Sequence, residues 1–248
     1  MNETYRKISI ELELERAIKY LRLGLAEVQR ITPENDFYDP VFIYLSGGLE
    51  RLFKIMLCLN HLEIHGRLPN SNEIWQNRNG HDLLFLKHKV EKFCVDIKIP
   101  FASQDYDLIV NNDFINRICK TLSEFGKRSR YFNLDAILGV EQEFDSKISW
   151  EKLETEINIE IYGNEKFYQL LSDPKQLEKL YTDSNREIVV RLERFLRALT
   201  RQFIFGNFYK DSKTFVFQIE DFTDIKDNQL GLTDYGKFKN HERIRRKN

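Results

Sequence analysis

The residues most suggestive of chemistry lie along one side of a helix that is predicted to begin at Asp39-Pro40. At 100° per residue, six polar or reactive side chains fall within a stripe about 100° wide on an otherwise apolar helix; they are Glu50, Arg51, Lys54, Cys58, His61 and His65. Two interpretations are open. The stripe is the solvent face, with Glu50 and Lys54 as an ordinary ion pair one turn apart, or it lines a cleft in which Arg51 and Lys54 face an anionic ligand.

Two glycines, Gly47 and Gly48, stand where this stripe begins. Inside a helix, glycine is disfavoured by about 1 kcal/mol relative to alanine, because it fixes a backbone that is otherwise very flexible. Their presence indicates a packing or functional reason, such as the close approach of another backbone or of a ligand.

His81 is the second candidate, within Gly80-His81-Asp82 at the predicted start of another helix. The helix dipole disfavours a cation at this end, so the imidazole is expected to be neutral. A neutral imidazole can accept a proton, as a general base must. The alternative is structural: His81 helps to cap the helix through a side-chain hydrogen bond.

A basic and aromatic cluster follows the fourth predicted helix, at Lys127-Arg128-Ser129-Arg130-Tyr131-Phe132. Three cations beside two aromatic rings suit phosphate contact and base stacking. They equally suit a solvated helix end, where basic groups complement the dipole.

The predicted helix from Arg186 to Phe205 carries arginines on one side: Arg186, Arg191, Arg194, Arg197 and Arg201. Together with the basic tail at 237–247, this side has the charge to follow a polyanion backbone. A solvated surface is the alternative, since Glu187 and Glu193 partly offset the charge.

Helices must position all of these side chains, because the sequence has few turn formers: 11 glycines and 5 prolines among 248 residues. Apolar periodicity and helix-end signals predict a first helix ending at Thr32-Pro33, a second from Asp39 to about His65, a third from Asp82 to Pro100 and a fourth capped by Asp113.

The C-terminal part is more ambiguous. Ile157, Ile159 and Ile161 fit a helix but also alternate as in a strand, and Phe215, Phe217 and Ile219 alternate more regularly. A helical lobe with or without a short two-stranded β ribbon is compatible with this pattern.

Composition excludes several classes of protein. The formal charge of −1 gives no overall attraction to polyanions, and three scattered cysteines without a CxxC pair favour buried thiols over a disulfide framework or a metal site. The N-terminus lacks a signal-peptide core and no apolar run could span a bilayer, so we expect a cytoplasmic protein without membrane contact. The absence of GxxxxGK[ST], GxGxxG, GxSxG and HExxH argues against P-loop, Rossmann, α/β-hydrolase and zincin proteins.

Three segments resemble the HEPN class, especially its AbiV-like and uncharacterised bacterial branches: Leu45-Ser46-Gly47-Gly48-Leu49-Glu50-Arg51-Leu52-Phe53-Lys54, Gly80-His81-Asp82-Leu83 and Ser129-Arg130-Tyr131. The resemblance covers residues 8–135. It implies a bundle of four or five helices, often dimeric. Some members are metal-independent RNases of toxin–antitoxin and phage-defence systems, and others only bind nucleotides or partners. The RxxxxH spacing of the ribonuclease members does not occur in this sequence.

The resulting prediction is a mainly α protein, with an N-terminal up-and-down HEPN-like bundle at 1–145 and a C-terminal helical extension at 146–248. The expected function is binding of RNA or nucleotides. If the protein cleaves RNA, His81 is the expected base of a metal-independent endoribonuclease, and Arg51 and Arg130 stabilise the phosphorane charge. The expected binding residues are Glu50, Lys54, Asp82, Lys127, Arg128 and Tyr131.

No cofactor or metal is expected, whereas a homodimer and a small partner protein are. The alternative function is a non-catalytic helical interaction or dimerisation module.

Overall fold

The computed structural model describes residues 2–70, 72–75, 79–94 and 101–237, and within these ranges the chain is helical without a strand, which confirms the mainly α fold. The α-helices are α1 (Glu3–Gln29), α2 (Asp39–His65), α3 (Leu83–Glu91), α4 (Ala102–Val110), α5 (Asp113–Lys127), α6 (Phe132–Ile137), α7 (Ser146–Tyr162), α8 (Asn164–Leu171), α9 (Leu177–Phe205), α10 (Tyr209–Ser212) and α11 (Val216–Thr223). Short 3-10 turns lie at Asn79–His81, Ser129–Tyr131, Pro174–Gln176, Lys213–Phe215, Asp227–Gln229 and Tyr235–Lys237.

Helices α1 and α2 form an antiparallel hairpin whose backbones approach closely at two glycines. A Cβ on Gly24 would lie 3.0 Å from the backbone nitrogen of Leu45, and a Cβ on Gly48 would lie 3.0 Å from that of Leu21. Real Cβ atoms rarely come that near to backbone, so only glycine allows this spacing. The reason for Gly48 in the helix is therefore packing.

The helix ends follow local signals, with shifts from the predicted positions. Asp82 caps α3 by accepting hydrogen bonds from two backbone amides, whereas the residue considered as a cap from the sequence was His81, whose ring nitrogen Nδ1 lies against Glu50. The cap of α5 is Asn112 and not Asp113. Helix α1 ends at Gln29, earlier than the proline predicts, and α9 begins at Leu177, earlier than Arg186. Helix α3 ends at Glu91, and Pro100 lies outside the described residues.

Helix α9 runs through the middle of the molecule and packs against α1, α4, α7 and α11. One side of it is apolar and fully buried, including Ile188, Phe195 and Phe203. An aromatic cluster joins the other long helices, because Phe42 of α2 lies 5.1 Å from Phe125 of α5 and 5.6 Å from Trp150 of α7 between ring centroids. These contacts fix the helices that carry the candidate sites.

The two segments considered for a β ribbon are helical. Residues 157–161 belong to α7, where Trp150, Leu153 and Ile157 form one buried face at helical spacing. Phe217 lies on α11 and is 65% exposed, whereas Ile219 and Phe222 are buried. Residues two positions apart lie on nearly opposite sides of a helix. The apolar alternation at 215–219 therefore did not indicate a strand.

The boundary at residue 145 falls just before α7, and helices from both sides of it contribute to one hydrophobic core cluster. Helix α1 packs against α9 and α11, and a buried Arg22–Asp221 ion pair of 3.3 Å links α1 to α11.

Cys58 is partly buried, whereas Cys94 and Cys119 are buried, and all three thiols are free. Burial raises their pKa values to about 11 or 12. Among the described helices, none is both long enough and apolar enough to cross a membrane.

Candidate functional site

Three of the predicted site residues meet at the beginning of α3. The carboxylate of Glu50 accepts a hydrogen bond from Lys54 Nζ at 2.7 Å, and its other neighbour is His81 Nδ1 at 3.1 Å. The Lys54 ammonium also lies 5.2 Å from the centroid of the Trp75 ring. Glu50 thus neutralises the cation that was expected to bind a phosphate, and His81 lies over it with a side chain that is 74% exposed.

Arg51 belongs to the same stripe but points to a different neighbour. Its Nε lies 2.8 Å from Glu13 Oε1, and its guanidinium stacks 4.6 Å from the centroid of the Tyr20 ring, both on α1. Its Nη1 also donates a hydrogen bond of 2.9 Å to the carbonyl oxygen of Gly47. Arg51 is therefore engaged in holding the hairpin together.

Asp82 and Lys127 form a structural cluster beside His81. Asp82 Oδ1 accepts from the amides of Leu84 and Phe85 and from the Ser123 hydroxyl at 3.0 Å. Lys127 Nζ lies 2.8 Å from the second oxygen of Asp82. These bonds connect the start of α3 to α5. They also engage the Asp82 carboxylate and the Lys127 ammonium, which were both predicted to bind the ligand.

The remaining predicted residues lie beyond the end of α5. The Arg130 guanidinium stacks 5.5 Å from the centroid of the Phe125 ring, Arg128 is exposed, and Tyr131 is 56% exposed. Arg130 and Tyr131 line a cavity of about 200 Å³ beside α2 and α7. His81, Arg51 and Arg130, the three predicted catalytic residues, thus contact different parts of the fold, and among the described residues no hydrogen bond or ion pair joins one of them to another.

A larger cleft lies between α4, α9 and the turn that follows α11. Its volume is about 790 Å³. Three arginines from α9 line it, and at 100° per residue they lie within about 60° of one another; they are Arg194, Arg197 and Arg201. Phe101 and Asp105 form the opposite wall. We call this the arginine cleft.

Two of the three arginines are held in place by neighbouring groups. Arg197 donates to the carbonyl oxygen of Ile225 at 2.8 Å and contacts Asp227 at 2.7 Å. Arg201 lies 3.3 Å from Asp105 and stacks 4.7 Å from the centroid of the Phe101 ring. These contacts fix the guanidinium planes and leave them at the cleft wall.

The two aspartates differ in their environment. Burial raises the pKa of Asp105, whereas the hydrogen bond from Arg197 lowers the pKa of Asp227. The Asp105 side chain is 9% exposed and that of Asp227 is 86% exposed. Asp227 can therefore move away into solvent, whereas Asp105 cannot.

Arg194 is exposed, and within the described part of the chain no hydrogen bond or ion pair engages it. Arg197 Nε is buried and has no hydrogen-bond acceptor among the described residues. The cleft thus contains the Arg194 guanidinium, which no hydrogen bond or ion pair among the described residues engages, and the Arg197 guanidinium, whose Nε lacks an acceptor there. The counter-ion of Arg197, Asp227, is exposed.

Sequence reasoning identified the arginine side of α9 but not its opposite wall. The helix that carries Asp105, α4, was not predicted, and Phe101 directly precedes it. Pro100 marks a break before this segment, and the spacing of Asp105, Leu108 and Ile109 is compatible with a helix, which is the signal that was available.

No protein-family model, no curated protein and no solved structure matches this chain. Among the described residues no group of three or more histidine, cysteine, aspartate or glutamate side chains is placed to hold a metal ion. The fold and the site together define a mainly α protein with a cleft lined by four cationic and three carboxylate side chains. The HEPN resemblance remains an interpretation of the residues that carry it.

Proposed function

We propose that this protein binds a nucleotide or single-stranded RNA, and that the arginine cleft receives the phosphate groups. The observation that carries the proposal is the row of Arg194, Arg197 and Arg201 on one face of α9, facing Phe101. Guanidinium groups bind phosphate with two parallel hydrogen bonds. The Phe101 ring of the same cleft stacks on the Arg201 guanidinium and so orients it for such contacts.

The size and charge of the cleft support the same ligand class. A volume of about 790 Å³ is within the roughly 300–1,000 Å³ of small-molecule sites. Because Asp227 is highly exposed, a phosphate group can displace it from Arg197 with little loss of buried contacts. Arg194 adds a positive charge that can contact the phosphate without first breaking an ion pair among the described residues.

Binding without cleavage is the form of the proposal that the contacts favour. His81, Arg51 and Arg130 each contact a different neighbour, and a phosphoryl-transfer site needs its base and its stabilising cations around one phosphorus. The toxin–antitoxin or phage-defence setting rests on the HEPN resemblance alone. If the protein does degrade RNA, loss of that activity in His81→Ala with an unchanged melting temperature would support the His81 base.

The binding test uses a fluorescent single-stranded RNA and a nucleoside triphosphate, titrated at several salt concentrations. Arg194→Glu should weaken RNA binding by at least about tenfold at low salt, and Arg194→Ala should reduce the slope of log affinity against log salt by about 1. Arg128→Glu is the matched control, because it makes the same charge change at an exposed arginine of the other predicted site.

Unaltered affinity in Arg194→Glu, or no binding of either probe at low salt, would overturn the proposal. Equal weakening by Arg194→Glu and Arg128→Glu would show attraction to the whole surface and would equally refute a site in the cleft.

A second candidate function, the dimerisation module, is favoured by one observation. Helix α6 and its flanks have several large apolar side chains that are 51–78% exposed: Tyr131, Leu134, Ile137, Leu138 and Val140. Apolar groups clustered in this way are typical of interaction surfaces. Light scattering tests it: a dimer in the wild type that Ile137→Asp converts to a monomer supports this function, and a wild-type monomer at high concentration excludes self-association.

A further inference from the structure

A second cavity, of about 190 Å³, lies between α7, α8 and α9, and it is independent of the arginine cleft. Its apolar walls include Phe167, which is 5% exposed, and Leu180, which is 3% exposed. Leu171 is 47% exposed and stands at its edge. A cavity of about 150 Å³ can hold benzene, so this one has room for a compact ring with a small polar head.

The polar wall of this cavity comes from α7. Glu154 and Asn158 lie one helical turn apart, are 7% and 6% exposed, and both line the cavity. Glu154 accepts hydrogen bonds from the Tyr38 hydroxyl at 2.9 Å and from Trp150 Nε1 at 3.0 Å. A carboxylate has about four lone-pair sites, so two acceptor sites remain.

Asn158 is incompletely bonded. Its Oδ1 is buried and has no hydrogen-bond donor within the described part of the chain. A buried amide oxygen without a donor is costly, by about 1–3 kcal/mol. Asn158 therefore offers an acceptor that the protein itself leaves unused.

The charges around the cavity have one sign. Two carboxylates line it, Glu151 and Glu154, and neither lysine nor arginine is among its lining residues. Lys147, which acts electrostatically on Glu154, lies closer to Asp36, at 2.6 Å, than to Glu151, at 3.8 Å. Aromatic rings of Phe167 and Tyr181 form part of the wall, and ring faces attract cations.

We infer that this cavity binds a small organic cation, an amidinium or ammonium group on a compact apolar body, with Glu154 and Asn158 accepting its N–H hydrogens. The two acceptors would bind the polar head of this ligand. A positive charge on the head suits a cavity that is lined by carboxylates and by neither lysine nor arginine. Phe167, Leu171 and Leu180 would contact the apolar body of the ligand.

Binding of such a cation depends on pH through Glu154. Burial raises the pKa of this carboxyl to about 7, and a cation binds its ionised form. The neighbouring Tyr38 and Tyr181 have pKa values raised by burial, that of Lys147 is raised by its bond to Asp36, and that of Asp36 is lowered by the same bond. Of these groups only Glu154 titrates near neutral pH, so the affinity should fall about tenfold from pH 8 to pH 6.

The test compares benzamidine with benzamide, its neutral analogue of nearly the same shape, by calorimetry on the full chain. Benzamidine should bind at least tenfold more tightly than benzamide, and Glu154→Gln should remove both this preference and the pH dependence. Glu165→Gln, the same charge change at an exposed carboxylate outside the cavity on α8, should alter affinity less than twofold.

A second variant, Asn158→Leu, keeps the proposal testable if Glu154→Gln does not fold. It should bind benzamidine several-fold more weakly while melting at the same temperature as the wild type or higher, because it removes the unbonded oxygen. A merely structural asparagine would give a lower melting temperature. Equal affinity for benzamidine and benzamide, or no binding of benzamidine up to about 10 mM, would overturn the inference.

Discussion

Replacing glycine with alanine at chemically equivalent helix positions should have opposite effects on stability, depending on the distance to the neighbouring helix. A Cβ on Gly24 would lie 2.5 Å from Leu45 Cδ2 and 3.0 Å from its backbone nitrogen, and one on Gly48 would lie 2.7 Å from Leu21 Cγ and 3.0 Å from its backbone nitrogen. Rotation of the leucines can relieve the side-chain contacts. The backbone contacts are relieved only when α1 and α2 move apart.

The expected magnitude is the difference between two effects. Alanine favours the helix by about 1 kcal/mol relative to glycine, while an extra methyl group in a filled core costs about 1–3 kcal/mol. Because two backbones are involved, we expect the upper part of that cost, and hence a net loss of about 1–2 kcal/mol for Gly24→Ala or Gly48→Ala. At Gly126 in α5, no atom beyond the neighbouring residues and the helix's own backbone lies within 4 Å of the position that a Cβ would occupy, so Gly126→Ala should gain about 0.5–1 kcal/mol.

Urea denaturation followed by circular dichroism measures these free energies of unfolding. The double variant Gly24→Ala/Gly48→Ala should lose less than the sum of the single losses, because one separation of the helices accommodates both methyl groups. If Gly24→Ala is as stable as Gly126→Ala, the two helices can separate at no cost, and close backbone contact is then not what selects glycine at these positions.

Three further predictions concern titration, capping and the exposed histidine. The pKa of Glu154 is about 7 in the folded protein against an ordinary 4.5, so the folded state retains the proton and stability falls by about 3 kcal/mol as pH rises from 4.5 to 7; Glu154→Gln should remove this fall, as urea denaturation at pH 5 and pH 8 will show. Asp82→Ala, which breaks the α3 cap, should lower the free energy of unfolding by about 1–2 kcal/mol with unchanged RNA affinity, and equal stability would contradict the capping role. His81→Ala should change stability by less than about 0.5 kcal/mol and leave RNA binding in a fluorescence titration unaltered, whereas a large loss of affinity would return the binding site to α3.

The sequence was sufficient for elements whose signals are local. The apolar pattern after Asp82 predicted the start of α3, and the arginine spacing of α9 predicted one basic side. A helical stripe, however, has two edges. Glu50 on one edge contacts His81, while Arg51 on the other contacts Glu13 of α1. Periodicity defines the stripe but not the neighbour at each edge, because the neighbour depends on how distant helices pack.

The arginine cleft and the cavity beside Glu154 could not be predicted from the sequence for the same reason: residues far apart in the chain form them. Asp105 and Arg201 are in contact although 96 positions apart, and Tyr38 reaches Glu154 across 116. A glutamate in the apolar pattern of α7 resembles any solvated residue until Tyr38 and Trp150 are placed around it. Long-range packing decides which polar groups become buried, and no local pattern records it.

The two candidate sites differ in how firmly neighbouring carboxylates neutralise their cations. In the cluster beside α3, Glu50 contacts both Lys54 and His81, and Asp82 contacts Lys127, so an incoming phosphate would have to break ion pairs and leave carboxylates facing it. In the arginine cleft, no hydrogen bond or ion pair within the described residues engages Arg194, and the exposed carboxylate of Asp227 can turn into water, while only Asp105 stays buried against Arg201. A ligand gains most where its charge replaces solvent or a mobile counter-ion, since it then has no buried opposite charge to strand. On that ground we propose the arginine cleft on α9, which α4 closes, and not the polar stripe of α2, as the site for an anionic ligand.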